Sequence, residues 1–240
     1  MKKIQTTAVL ATLLFLGVAS GVSRAAEEEG VALAIVYDTS GSMGDKVRDT
    51  NGVPAPKYVI ANRALDAITT RVEKFATNAP ASSPKRIQAG LFIFADKGAK
   101  QAIPFGPFKA ETFRSWAHDF KNVGGGTPLG TAVKAAGETV LKSGLTRKHV
   151  LVITDGENTI GPGPATAMSQ IKAEAEKNQT TLSVHFVAFD VAAKVFDGVK
   201  KNGATVLSAE NEAQLNTQLE FILEKKILLE EEEAPKKKAN

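Results

Sequence analysis

Cysteine is absent from the 240 residues. That excludes disulfides, thiol nucleophiles and Cys-ligated zinc, so the chain must hold together through its own core. Histidine is scarce and scattered. The three present, His118, His149 and His185, stand at no motif spacing from a serine or aspartate, which leaves any catalytic triad to spatial arrangement alone. No basic stripe interleaved with aromatics is found, so nothing argues for nucleic-acid binding. Internal repeats are also absent, and nothing reads as a multi-span membrane protein.

What is present is an ordinary globular balance, 43% hydrophobic and 23% charged. The length suits one α/β domain with short appendages. Residues 1–25 differ from the rest. Lys2 and Lys3 precede an apolar stretch from Ala8 to Val18, and Ser23-Arg24-Ala25 follows with small residues at the positions read by a signal peptidase. The stretch is shorter than the about 20 residues of a spanning helix. A signal peptide cleaved near Ala25 is expected, giving a periplasmic or secreted product; membrane contact is expected only if the segment stays uncleaved. Lys2, Lys3 and Arg24 leave with it, and the formal net charge falls from +4 to +1. The expected division is 1–25 signal peptide, 26–30 linker, 31–226 globular domain and 227–240 charged, solvated tail.

Hydrophobic patterning then alternates between two periods. VALAIVY, Val31 to Tyr37, is a nearly unbroken apolar run that suits a central parallel strand buried on both faces. A Gly/Ser/Asp/Pro-rich loop to Pro56 precedes a helix over Lys57 to Phe75. Further strands are expected at Ile87–Phe94, at a short edge piece Gln101–Ile103, and at His149–Thr154, Leu182–Phe189 and Thr205–Leu207. Helices are expected at Ala110–Phe120, Leu129–Leu141, Ala165–Lys177 and from Glu210 onward. Such alternation implies an α/β sheet with right-handed crossovers, whose ligands bind beyond the carboxyl ends of the strands.

Two of those strand ends and one loop are rich in oxygen donors. Asp38-Thr39-Ser40-Gly41-Ser42 follows the first strand, Thr154-Asp155-Gly156-Glu157 follows a later one, and Gly124-Gly125-Gly126-Thr127-Pro128 lies between them in sequence. Asp38, Ser40, Ser42, Thr127 and Asp155 together offer two carboxylates and three hydroxyls. Hard oxygen donors without imidazole or thiolate suit magnesium, manganese or calcium.

The D-x-S-x-S of Asp38, Ser40 and Ser42, with Thr127 in GGTP and Asp155 in TDG, resembles the metal-ion-dependent adhesion site of von Willebrand factor A domains. The resemblance covers roughly residues 30–225. It implies a three-layer, Rossmann-like α/β fold: a mostly parallel central sheet, helices on both faces and one short antiparallel edge strand. It also implies roles. Ser40 and Ser42 would bind a divalent cation directly, magnesium first, with calcium or manganese as alternatives. Thr127, Asp38 and Asp155 would do so directly or through water. Neutral hydroxyls leave the cation's charge undercompensated, so an exposed Asp or Glu of a protein partner can complete the shell. The segment GDKVRDTNGVPAP, Gly44–Pro56, is longer than usual for the family and is expected to influence partner choice.

Blander readings stand beside each piece. Asp38 and its neighbours could form a cap or turn, Thr127-Pro128 could simply start a helix, and Asp155-Gly156 could be a plain turn. Asp45 and Glu157 read as solvated turn residues, His149 and His185 as structural strand residues, and Phe113 and Trp116 as core. A phosphohydrolase using Asp38 is the enzymatic alternative, but Ser40 stands where a second aspartate would act as acid and base. An accessory subunit of a larger periplasmic assembly is the other. The primary expectation is a non-enzymatic, metal-dependent protein-binding module.

Overall fold

The computed structural model describes residues 27–78, 85–95 and 98–229. The expected signal segment and residues 230–240 of the expected tail lie outside them. β1 (Glu28–Tyr37) is buried from Gly30 to its end. It pairs in parallel with β4 (Arg86–Ala95) on one side and β6 (Leu145–Thr154) on the other. β7 (Ser183–Phe189) and β8 (Thr205–Ala209) extend the sheet in parallel beyond β6. β5 (Gly98–Pro107) closes the opposite edge antiparallel to β4, longer than the expected piece at Gln101–Ile103. Among the described residues the order is β5-β4-β1-β6-β7-β8.

Successive side chains of a strand point to opposite faces, so β1 feeds two cores. Val31, Leu33, Ile35 and Tyr37 pack on one side with α1 (Lys57–Thr77), α2 (Ala110–Asp119) and α6 (Glu212–Ile222). Ala32, Ala34 and Val36 pack on the other with α3 (Leu129–Leu141), α4 (Pro164–Lys177) and the short α5 (Asp197–Lys201). This is the expected three-layer arrangement. In the layer of α3, α4 and α5, α3 lies tight against the segment leading into α4: at Gly130 a methyl group would fall 2.0 Å from the Pro162 carbonyl oxygen.

Two expectations need correcting. The stretch between β1 and α1 is not merely a loop, because β2 (Lys46–Arg48) and β3 (Pro54–Pro56) pair antiparallel as a hairpin. Strands of three residues, one of them with proline at both ends, Pro54 and Pro56, have too little alternation to be seen in a sequence. At the other end, a π-helical turn over Leu223–Leu228 prolongs α6, and its Ile227 and Leu228 are buried. The expected boundary after residue 226 therefore falls inside a packed element, since Ile227 and Leu228 are buried, while the following Leu229 is exposed.

His149 and His185 sit on adjacent strands with their rings stacked at 5.8 Å. Burial first, then each site's nearby positive charge, pushes them down, to about 3 for His149 (with His185 and Arg147) and about 4 for His185 (with Lys226). An unfolded chain binds these protons at an ordinary histidine value while the native state refuses them. Their contribution to stability is therefore complete above pH 6.5 and declines as the pH falls toward 4. Replacing His185→Phe should flatten the unfolding free energy over that window relative to the parent chain, as read by urea titrations at stepped pH. An unchanged slope would contradict the assignment.

Candidate metal centre

The five oxygen-bearing residues all lie at the carboxyl edge of the sheet. β1 and β6 are neighbours, with Tyr37 opposite Ile153, so Asp38 and Asp155 leave the sheet side by side. Asp38 is completely buried. Its Oδ1 accepts from the Ser40 amide at 2.8 Å and its Oδ2 from the Thr154 hydroxyl at 2.6 Å. These bonds hold the carboxyl down, yet burial outweighs them and, with the neighbouring Asp155 charge, pushes it up to about 6.

A tight 3-10 turn over Gly41–Gly44 begins just after the buried Ser40 and carries the exposed Ser42, and Ser40 Oγ lies 3.1 Å from Ser42 Oγ. Ser42 Oγ in turn donates to Asp155 Oδ1 at 2.8 Å. Thr127 arrives from the glycine loop. Gly124 N donates to the Thr39 carbonyl at 2.9 Å, and Gly41 N donates to the Gly125 carbonyl at 3.2 Å, which straps that loop across the first one. Gly125 has φ +76, a left-handed conformation that suits glycine. A methyl on Gly156 would lie 3.8 Å from Ser42 Oγ and 3.9 Å from Thr127 Oγ1, so both hydroxyls border the same spot beside the third loop. Thr127 is also clamped to the third loop: its amide donates to Thr159 Oγ1 at 2.7 Å, and its carbonyl accepts from the Thr159 amide at 3.0 Å. Asn158 Oδ1 accepts from Gly130 at the start of α3. Asp38, Ser40, Ser42 and Asp155 are thus linked at this edge, with Thr127 Oγ1 brought near Gly156 beside them. Asp45 joins Ser42 only through its backbone amide. Among the described residues no three His, Asp or Glu side chains form a metal-holding cluster; hydroxyls dominate the donor set.

Sequence reasoning missed the charged neighbours. Lys57 opens α1 yet is only 5% exposed, and its Nζ lies 3.1 Å from Asp155 Oδ2 and 2.9 Å from Asp190 Oδ2. Burial alone would lower the ammonium, but the hydrogen bonds it donates to Asp190 and Asp155 hold it above the ordinary lysine value. Two signals were legible. A lysine at the first position of a helix opposes the helix dipole and calls for an anion. Asp190 also ends the apolar run of β7 just as Asp38 and Asp155 end theirs.

The hairpin stands beside this centre. The Lys57 amide donates to the Asp45 carbonyl, and the buried Glu212 of α6 accepts from the Thr50 amide at 3.0 Å while pairing with Arg63 of α1 at 2.7 Å. Thr39 also borders a cleft lined by Ile93, Lys100, Trp116, Asp119 and Lys121.

A family model of the von Willebrand factor type A domain matches residues 32–220. No curated protein matches the chain by sequence. Among solved structures, the proximal thread matrix protein 1 of the mussel byssus, determined with a zinc-occupied MIDAS motif, superposes with a TM-score of 0.58 at 20% identity, over 83% of this chain and 49% of that one. The PilB minor pilin from Streptococcus sanguinis gives 0.58 at 14% identity, over 81% and 61%. The vWF domain of the type V pili tip protein Mfa5 from Porphyromonas gingivalis gives 0.57 at 13% identity, over 81% and 94%. The chain thus spans about half the length of the mussel protein and about three fifths of the pilin. At such identities the likeness is one of fold.

Removing the Glu212 anchor tests how firmly the hairpin is held. In Glu212→Ala the amides of residues 46–56 should exchange hydrogen markedly faster, with a loss of about 1–3 kcal/mol in overall stability from the orphaned Arg63 and Thr50 groups. Unchanged hairpin exchange would show that the strands hold themselves.

Proposed function

The chain belongs to the von Willebrand factor A domain family, and from that premise we propose that it is a non-enzymatic module that binds a divalent cation and, through it, an acidic group of a protein partner. The carrying observation is that the Ser42 and Thr127 hydroxyls border the same spot beside the paired carboxylates of Asp38 and Asp155. The donor set fits such a group. Ser40, Ser42 and Thr127 supply neutral oxygens, Asp38 and Asp155 supply charge, and all are hard ligands suited to magnesium, with manganese or calcium as alternatives. A carboxyl as buried as Asp38, raised to about 6 without a cation, also favours a positive guest. When bound, the cation would supply a Lewis-acidic point of attachment for an anionic oxygen. Ser40 and Ser42 are set to hold it directly, and Asp38, fixed by the Ser40 amide and Thr154, orients that pair.

The partner expected is a protein presenting an exposed Asp or Glu. Lys100 and Lys121 at the rim of the neighbouring cleft suit an acidic surface. The hairpin of residues 46–56, held in place beside the centre, supplies the shape against which one partner is chosen over another. Action outside the cytoplasm, in the periplasm or secreted, fits the expected signal segment and the company of pilin and byssus proteins. Membership of a larger surface assembly is compatible with the same site. Catalysis is disfavoured, because Ser40 stands where an acid–base carboxylate would be needed and Lys57 is committed to two aspartates rather than to a substrate.

Calorimetric titration of the mature chain with magnesium, then calcium and manganese, checks this reading. The parent should bind one cation saturably, and an Asp38→Ala/Ser40→Ala variant should lose at least roughly tenfold in affinity, about 1.4 kcal/mol. Absence of binding at millimolar cation, both alone and with acetate present to complete the shell, would refute it.

A further inference from the structure

Lys57 and its partner Asp190 are charged groups at the centre to which the cation-binding reading gives no role. Lys57 sits at the first position of α1, where the helix dipole opposes a positive charge, and it is almost wholly buried. Its partners are unequal. Asp190 is substantially exposed, with 42% of its side chain accessible, while the Asp155 side chain is fully buried. The two oxygens of Asp155 are divided: Oδ1 accepts from Ser42, and Oδ2 accepts from Lys57. One of the two carboxylates facing the hydroxyl cluster is therefore already shared with a cation that belongs to the protein.

We propose that Lys57 is a built-in competitor for Asp155 that weakens cation binding in isolation and makes it depend on an anionic ligand. This rests on the cation-binding reading above. Asp38, Asp155 and Asp190 carry three negative charges and Lys57 one positive charge within a single hydrogen-bonded set. Without the ammonium, Asp38 and Asp155 would together neutralise a divalent cation. With it, the four side chains sum to two negative charges, but the exposed Asp190 has its charge screened by water while Asp155 is buried, so part of the effective Asp155 charge is spent on Lys57 and the cation keeps a residual positive charge in a buried setting where charges act strongly. That residue of charge is what an incoming carboxylate neutralises. The cation and the carboxylate then each strengthen the binding of the other by one common factor. A lysine that merely braced Asp155 would have the opposite effect, because losing the brace would loosen a ligand and weaken the cation.

The sign decides between them. Magnesium affinity is measured by calorimetry in the parent chain, Lys57→Met, Lys57→Gln and Lys57→Arg, each with and without acetate, and folding is checked by thermal unfolding in chelator. Lys57→Met should bind magnesium roughly tenfold tighter than the parent, and the tightening by acetate seen in the parent should shrink. Lys57→Gln, which keeps a hydrogen-bond donor for the two aspartates, carries the same prediction should the Met variant fail to fold. Lys57→Arg keeps the charge and should stay near the parent. Magnesium binding by the parent with equal or weaker binding by the neutral variants overturns the role of Lys57 alone, as does an Arg variant as tight as the Met variant. A parent that binds no magnesium even with acetate overturns this role together with the cation-binding reading.

Discussion

Two carboxylates buried side by side are the constraint around which this end of the molecule is built. Asp38 and Asp155 leave adjacent parallel strands at matching heights, and neither reaches solvent appreciably. Like charges out of water repel each other and lose hydration, a cost of several kcal/mol per ion unless partners repay it. Every feature nearby answers that cost. The Ser40 amide and Thr154 hydroxyl hold Asp38, Ser42 and Lys57 hold Asp155, and the glycine loop is strapped down to bring Thr127 beside them. The apolar core fixes the geometry by burying both strands on both faces, so the carboxylates have no freedom to separate.

The same constraint separates what holds the site from what would use it. Asp38 is held on one oxygen by a backbone amide and on the other by a hydroxyl, and acts as a fixed post. The serine and threonine hydroxyls are the adaptable part, since a hydroxyl can turn its hydrogen away and present a lone pair. Asp155 stands between these roles, tied to Ser42 on one oxygen and to an ammonium on the other. The hairpin adjoins the centre through Asp45 and Lys57, and the lysine-edged cleft adjoins it through Thr39 and Gly124.

Much of this was legible in the sequence because apolar runs that stop abruptly at aspartate mark strand ends. β1 and β6 were found this way, and α3 was found to the residue, since leucine, valine and alanine at helical spacing follow Pro128. Thr127 was legible through its glycines. The hairpin was not, because strands of three residues, one of them Pro-Ala-Pro, are too short to show alternation. The Lys57 and Asp190 pair was missed because a lysine beside a proline at a helix start reads as solvent-exposed, and only the packing of α1 against the ends of β6 and β7 turns it inward. The end of the domain was set too early, because glutamate and lysine runs drew attention from the buried Ile227 and Leu228 just before them.

The central claim is that one cation sits among these five side chains. Anomalous diffraction from crystals of the mature chain grown with manganese tests it most directly. The account predicts a single strong peak bounded by Ser40, Ser42 and Thr127, with Asp38 and Asp155 behind it. A peak elsewhere on the surface, or no peak with the serines still bonded to each other and to Asp155, would contradict it.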